Sequence, residues 1–309
     1  MILLTVGSAV GVFIDDRIIV GTRIWSKPLK FSASFTLYGL SLAWMLSLST
    51  RARRTGWWAG TVVAATIVIE MVIVIVQVAR GRRSHFNQET ELDTTLYDVM
   101  GTTVAVLWGA SVLIAILLFR SDLPDRASAW ALRLGALIAM IGAALGFLMT
   151  TPTGEQQAAA AKGPTDTVGA HAVGVPDGGP SMPLTGWSTT GGDLRIPHFV
   201  GMHALQLLPL LVLALLVLGA RLPRLRDEGV RLRLVVTAAA TYAALVALVT
   251  WQALRGQPLI HPDAATLLTL AGILAAGALG VYTSLRSAPE TTPDTETKTA
   301  TDTERELVR

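Results

Sequence analysis

Apolar residues along this chain gather into unbroken runs. Seven runs, near 31–50, 57–79, 98–119, 130–150, 198–219, 232–252 and 264–285, reach the roughly 20 residues a helix needs to cross hydrocarbon. Lipid offers no partner to a backbone N–H or C=O, so such a run folds as a helix. None shows the ten-residue alternation of a barrel strand. The pattern predicts an all-α, polytopic transmembrane helix bundle. A further apolar stretch, 1–14, ends at Asp15-Asp16. At 1.5 Å per residue it reaches about 21 Å, short of the roughly 30 Å hydrocarbon core. It lacks the positive start and the cleavage site of a signal peptide. Its Gly7 and Gly11 form a small-xxx-small pair suited to close helix packing. It is read as a short first helix, for seven to eight spans in all, and its length is explained if the true start lies upstream.

The polar intervals divide the chain. Residues 1–152 carry the short helix and four spans, 198–286 carry three more, and 153–197 lie between them. The stretch 153–185 mixes an Ala run with many Gly and several Pro. That composition predicts a flexible external loop. The end of the chain, 287–309, is rich in Thr, Glu and Asp and is expected to be a disordered cytoplasmic tail. No internal repeat is evident, so an inverted-repeat transporter design finds no support. Arg51, Arg53 and Arg54 mark one loop, and Arg221, Arg224, Arg226 and Arg231 another, whereas 253–263 has only Arg255. The positive-inside rule then places 51–56, 120–129, 220–231 and the tail in the cytoplasm of a cell (plasma) membrane. Arg17, Arg23, Lys27, Lys30, Arg80, Arg82 and Arg83 oppose this bias from the outer side.

Composition removes several chemistries. Hydrophobic residues fill 51% of 309 positions and charged residues 15%, against about 25% charged in soluble domains. Cysteine is absent, which excludes disulfides, thiolate metal sites and cysteine nucleophiles. Lys and Arg cluster at helix ends, where they set topology and meet phospholipid. The expected partners are the bilayer and a small molecule or ion, with no nucleic acid, and oligomeric state is left open. No Walker loop, G-x-S-x-G or H-E-x-x-H is present, so the reading leans away from an enzyme.

The chain has five histidines, His85, His171, His198, His203 and His261. Counting helices between them puts all five at the same, outer side. Glu70 is the acid well inside a span, roughly 15 Å below Arg80 along its helix. Such a group marks a pathway or a partner, or serves as hydrogen-bonding glue between helices. Gln77, seven residues on, lies on nearly the same face. His85 sits in an outer hairpin with Glu89, Glu91, Asp93 and Asp98, a place for a metal or an anion, or an ordinary interfacial loop. The densest polar stretch is 191–206, where His203 and Gln206 share a helix face. His198 and His203 are five apart, about 140° on a straight helix, so they make no ready clamp. His171 is expected to be solvated in its loop and His261 interfacial. Trp25, Lys27 and Lys30 read as interface anchors, with a headgroup or anion site as the alternative, and Trp44 and Trp108 as packing.

Trp25-x-Lys27-Pro28-x-Lys30-Phe31, Ser84-His85-Phe86-Asn87 and Asp193-Leu194-Arg195-x-Pro197-His198-Phe199 together resemble a group of uncharacterised bacterial multi-pass membrane proteins. The resemblance spans residues 15 to about 210 and implies no activity. The H-x-x-x-H pair of zinc-dependent seven-helix hydrolases is absent. The expected site is an outer-face pocket lined by His85, His198, His203 and Gln206, with Glu70 deeper and Gln77 nearby. It would serve a sensor, binding protein or permease for a small ligand or ion, with Glu70 and His203 passing protons. Two alternatives use the same residues. One is a redox protein holding haem b between His85 and His203. The other is a hydrolase with a divalent metal on His85 and His198, where the metal candidates overall are His85 and His203. A structural subunit whose polar groups only pack helices is the fourth reading.

Overall fold

The computed structural model describes residues 1–49, 52–123 and 125–286; Arg51 and the whole expected tail lie outside them. Among the described residues seven helices are long and apolar enough to cross a membrane, and the chain is an all-α polytopic bundle. The short helix α1 (Ile2–Ile14) is followed by α2 (Ser26–Leu48), α3 (Arg53–Arg80), α4 (Glu91–Phe119) and α5 (Arg126–Leu145). The interval 153–197 contributes a small helix, α6 (Gly154–Ala160). Then come α7 (Arg195–Met202), α8 (Ala204–Gly219), α9 (Glu228–Leu254) and α10 (Ala264–Arg286). Two-residue strands pair as β1 (Ile18–Ile19) with β2 (Thr22–Arg23), and β3 (Ala172–Val173) with β4 (Gly192–Asp193).

Several helices start earlier than their apolar runs. Helix α2 takes in Trp25 as cap and Lys27-Pro28 in its first turn, where a proline removes no helical hydrogen bond. Helix α4 begins at Glu91 because the Thr90 hydroxyl accepts the Asp93 N–H at 3.1 Å, with Glu91 and Asp93 in the first turn. The α3–α4 turn is closed by Gly81 at φ 67°, which lets Arg82 N–H reach the Gln77 carbonyl at 2.9 Å. Beneath it Asp93, 0% exposed, accepts from Arg80 at 2.5 Å, Gln77 at 2.9 Å and Thr90 at 2.7 Å.

Helices in lipid associate by close packing rather than by apolar burial, and α5 shows how. A Cβ at Gly142 would lie 2.5 Å from the Gly201 backbone of α7, and one at Gly135 would lie 2.8 Å from the Ala204 carbonyl. One step toward the α5 end, a Cβ at Gly146 would strike the His198 ring at 2.9 Å. A groove along α5 thus receives α7 and the start of α8. The 198–219 run is not one straight helix. It starts at Arg195 and breaks at His203, whose N–H is shared between the Phe199 and Val200 carbonyls, both at 3.2 Å. His198 therefore lies inside α7 rather than before it, which removes the one arrangement that would let it converge with His203. Helix α10 packs on α9 through Gly277 and Gly280, which face Thr241 and Thr237.

The interval 153–197, expected to be an unstructured loop, is folded into a cap over one end of the bundle. Gln156 clasps Gly169 twice, through its amide to the Gly169 carbonyl at 2.9 Å and from the Gly169 N–H at 2.8 Å. Asp177 accepts the N–H groups of His171 and Ala172 at 3.0 and 2.8 Å. The Ala172–Asp193 pairing then joins the middle of the cap to its end. The glycines that suggested disorder instead supply turns: Gly169, Gly174 and Gly178 all have positive φ.

Gly142→Leu should not be accommodated, because its side chain would meet backbone rather than a movable group. Overpacking costs of about 1–3 kcal/mol are typical, and a lowered melting temperature in detergent, next to an unchanged Gly272→Leu control facing open space, would check this.

Candidate functional site

The α1–α2 hairpin, the α3–α4 turn and the cap enclose a cavity of about 1520 Å³ at one end of the bundle, larger than most small-molecule pockets. Its inner wall is aromatic, with Phe31, Phe35 and Tyr38 from α2 facing Tyr97 and Trp108 from α4 and Phe147 after α5. Phe86 closes the cap side. It is buried, holds φ 59°, and packs edge-on to Tyr97 and His171 with ring centroids 5.8 and 4.8 Å away. A positive φ on a bulky residue is strained and persists only where surroundings dictate it. Here Gly169 supplies the room, since a Cβ there would lie 2.7 Å from the Phe86 ring.

Six cations line this space; Arg23, Arg82 and Arg83 among them pair with Asp16 and Glu89, and three others bear on the site. Lys27 and Lys30 are three apart on the first turn of α2 and share a face. The third is Arg195, at the start of α7. Arg195 forks onto the buried Asp193 at 2.9 and 2.5 Å and donates to the Gly186 carbonyl at 2.6 Å. Lys30 donates to the Thr185 carbonyl at 2.9 Å. The Lys27 ammonium lies 5.6 Å from the Phe31 ring centroid, and no carboxylate forms an ion pair with it among the described residues.

The histidines divide. His171, expected to be solvated, is half-buried and its Nδ1 lies 2.7 Å from Asp177 Oδ2. His198 uses Nδ1 toward the Gly142 carbonyl at 2.9 Å. His85 packs edge-on to Phe31 at 5.4 Å, and its Nδ1 meets the Ser84 hydroxyl at 3.1 Å. All three line the cavity. His203 lines its rim but is exposed, with Nδ1 3.4 Å from Gln206 Oε1, and Gln206 donates to Ser41 of α2 at 2.9 Å. No contact joins His203 to His85. His261 is exposed in the α9–α10 loop. Glu70 does line the cavity, whereas Gln77 is spent in the Arg80–Asp93 cluster behind it. Among the described residues no three His, Asp or Glu side chains converge to hold a metal ion.

No family model, curated protein or solved structure matches this chain. The functional argument therefore rests on the cavity. The three segments Trp25–Phe31, Ser84–Asn87 and Asp193–Phe199, far apart in sequence, each contribute to its wall, through Lys27, Lys30, His85, Phe86, Arg195 and His198. Lys27 and Lys30 were legible as interface anchors or as a headgroup or anion site, and Arg195 only as a member of the dense 191–206 stretch. Asp177 had no signal beyond lying six residues after His171 in a glycine-rich stretch.

Electrostatics at the cap follow from burial. Burial pushes the His85 imidazole well below its usual range, and the nearby positive charges of Lys27 and His171 add to this. Burial also lowers His171, against the opposing pull of Asp177. Burial raises the Asp177 carboxyl, but the hydrogen bonds from His171 and two backbone N–H groups outweigh it and hold the group at about 2. The cavity is thus lined by the imidazoles of His85 and His171, by Asp177 already paired, by Asp98 and Glu155, and by an excess of cations.

Both imidazoles are neutral when folded but take protons in the unfolded chain below the ordinary value of 6.5. Their contribution is present above that pH and is lost as pH falls through it toward the folded values. Asp177 acts in the same direction lower down, between 3.8 and about 2. Amide exchange in 168–178, corrected for intrinsic rate, should rise between roughly pH 7.5 and 5.5 while α8 and α9 stay protected. Equal change in both would show that the cap histidines are not the cause.

Proposed function

We propose that this membrane protein binds an amphipathic anion in the cap-end cavity, as a sensor, binding protein or permease of the plasma membrane with the cap outside and the tail cytoplasmic. The observation that carries the reading is Lys27. A buried or half-buried ammonium normally has a partner, and this one faces an open cavity beside Lys30 and Arg195. Arg195 is already neutralised by Asp193 and Lys30 is held by one carbonyl, so the free positive charge centres on Lys27. The aromatic wall below suits an alkyl chain. The N-terminus of α2, where both lysines sit, adds its positive end.

Dodecyl methyl phosphate, a monoanionic diester, is a suitable probe. It should bind purified protein in maltoside micelles, measured by calorimetry. Losing one charge-assisted contact costs about 1.5–3 kcal/mol, so Lys27→Met should weaken binding at least tenfold. Affinity unchanged in Lys27→Met and Lys30→Met would reject the reading.

Orientation is testable directly because the chain contains no cysteine. Ala160→Cys, on the exposed side of α6, should react with a membrane-impermeant maleimide in intact cells, whereas Leu222→Cys, exposed at the opposite end, should react only after lysis. The reverse pattern would place the cap inside.

A further inference from the structure

The deep end of the cavity holds a polar group of a different kind. Glu70 is 0% exposed yet lines the cavity. Its Oε1 lies 2.5 Å from Thr103 Oγ1, and its Oε2 is buried with no hydrogen-bond partner. Thr103 has one hydroxyl proton and three acceptors within reach: Glu70 Oε1, the Val99 carbonyl at 2.9 Å and the Met100 carbonyl at 3.1 Å. A protonated Glu70 resolves this arrangement. Its own O–H on Oε1 donates to Thr103, and Thr103 donates to its helix carbonyl, as hydroxyls in apolar helices commonly do. The remaining Oε2 is then the carbonyl oxygen of a neutral acid. An ionised Glu70 would instead leave a buried carboxylate oxygen with no hydrogen-bond partner, which is costly without a counter-charge.

Across the cavity, Lys27 on α2 is the charged side chain whose field reaches Glu70, and Thr103 on α4 is the hydroxyl that touches it. Farther along the same cavity stand Lys30, Arg195, Asp177, His85 and His171. Lys27 and Glu70 both line the cavity, and no ion pair within 4.0 Å closes between them. An unpartnered ammonium and a carboxyl with one buried, unpartnered oxygen thus border a shared gap.

We propose that this gap takes a zwitterionic head in which a phosphate diester and a primary ammonium are separated by a few atoms, the ethanolamine phosphate class. The phosphate sits on Lys27 and Lys30, the ammonium on Glu70 Oε2, and an attached alkyl chain runs along the aromatic wall. This deepens the amphipathic-anion reading and rests on it. Binding includes one proton transfer. The Glu70 O–H bond breaks, its proton leaves for the solvent, and the carboxylate pairs with an ammonium that was already protonated. Thr103 then turns its hydroxyl proton from the helix carbonyl to Glu70 Oε1.

The test compares dodecylphosphoethanolamine with dodecyl methyl phosphate, which carries the same charge on phosphorus and the same chain but no amine. The amine should tighten binding to the native protein about tenfold, the value of one charge-assisted hydrogen bond. Calorimetry in two buffers of different ionisation enthalpy should show the amine ligand releasing up to one proton more than the methyl ester near pH 7, a difference in which any proton taken up by the lysines under the shared phosphate cancels. Neither phosphodiester nor primary amine titrates there, so the proton must come from the protein. In Glu70→Gln the amine preference and the proton release should both vanish while methyl ester binding persists. Soluble glycerophosphoethanolamine separates the sources of the head. Binding as tight as the dodecyl ester assigns the same chemistry to a free solute, and weaker binding assigns it to a lipid. Absence of an amine preference, equal proton exchange for the two ligands in the native protein, or a preference that survives in Glu70→Gln would overturn the proposal. Each of these can occur with dodecyl methyl phosphate still bound through Lys27, which would leave the broader reading standing. Should Glu70→Gln fail to fold, the native protein's buffer dependence decides alone.

Discussion

The cap end of this protein depends on how closely α7 can lie on α5. Lipid tails are as apolar as leucine, so nothing drives two helices together but contact itself. Gly142 against Gly201 gives backbone-to-backbone contact that any side chain would prevent. That approach brings the His198 ring over Gly146, where Nδ1 donates to the Gly142 carbonyl at 2.9 Å. The ring is thereby fixed in one tautomer and orientation. It also carries the Arg195 end of α7 to the cavity mouth, where the buried Asp193 awaits it. Without the glycine groove the cap would have no floor to rest on.

Buried charges around the cavity sort into two groups. Asp93 has Arg80, Asp193 has Arg195, and Asp177 has His171 together with two backbone N–H groups. Each of these carboxylates is matched locally, and each sits at a junction: the start of α4, the start of α7 and the turn of the cap. Buried pairs of this kind are worth little in net stability, but removing one partner is expensive, so they specify geometry. Lys27 and Glu70 break the pattern. One is a cation facing a cavity and the other an acid with an orphan oxygen, and neither helps to close a turn or cap a helix. Glu70 ties α3 to Thr103 of α4 through one oxygen only, and the partnerless ammonium of Lys27 and the other Glu70 oxygen are the reason to assign them a ligand.

How much of this was legible depends on whether the signal was local. The spans followed from run length alone, because a bilayer imposes the same minimum on every helix. The one-sidedness of the histidines and the depth of Glu70 followed from helix counting. Gln77 was placed correctly on its helix, but its partner Asp93 lies on another helix, so the Arg80 cluster was invisible. The angle between His198 and His203 assumed a straight helix, and the break at His203 depends on where α5 and α9 press. The cap failed most clearly. Its glycines and prolines were counted as signs of disorder, yet Gly169, Gly174 and Gly178 serve positive-φ turns around Asp177 and Phe86. Pairings such as Ala172 with Asp193 have no period by which a sequence could announce them.

An apolar cavity of this size would be expected to collapse, so something must hold α2 away from α7. The geometry supplies two struts. At the mouth, the adjacent carbonyls of Thr185 and Gly186 receive Lys30 from α2 and Arg195 from α7 at 2.9 and 2.6 Å, so one turn of the cap spans both helices. Deeper, Gln206 of α8 reaches Ser41 of α2 at 2.9 Å, just past the break at His203. Gln206 is therefore a tie across the bundle as much as a lining residue, and the break earns its place by turning α8 toward α2. Lys27 on α2 and Glu70 on α3 both line the space that these ties leave open, and no ion pair closes between them.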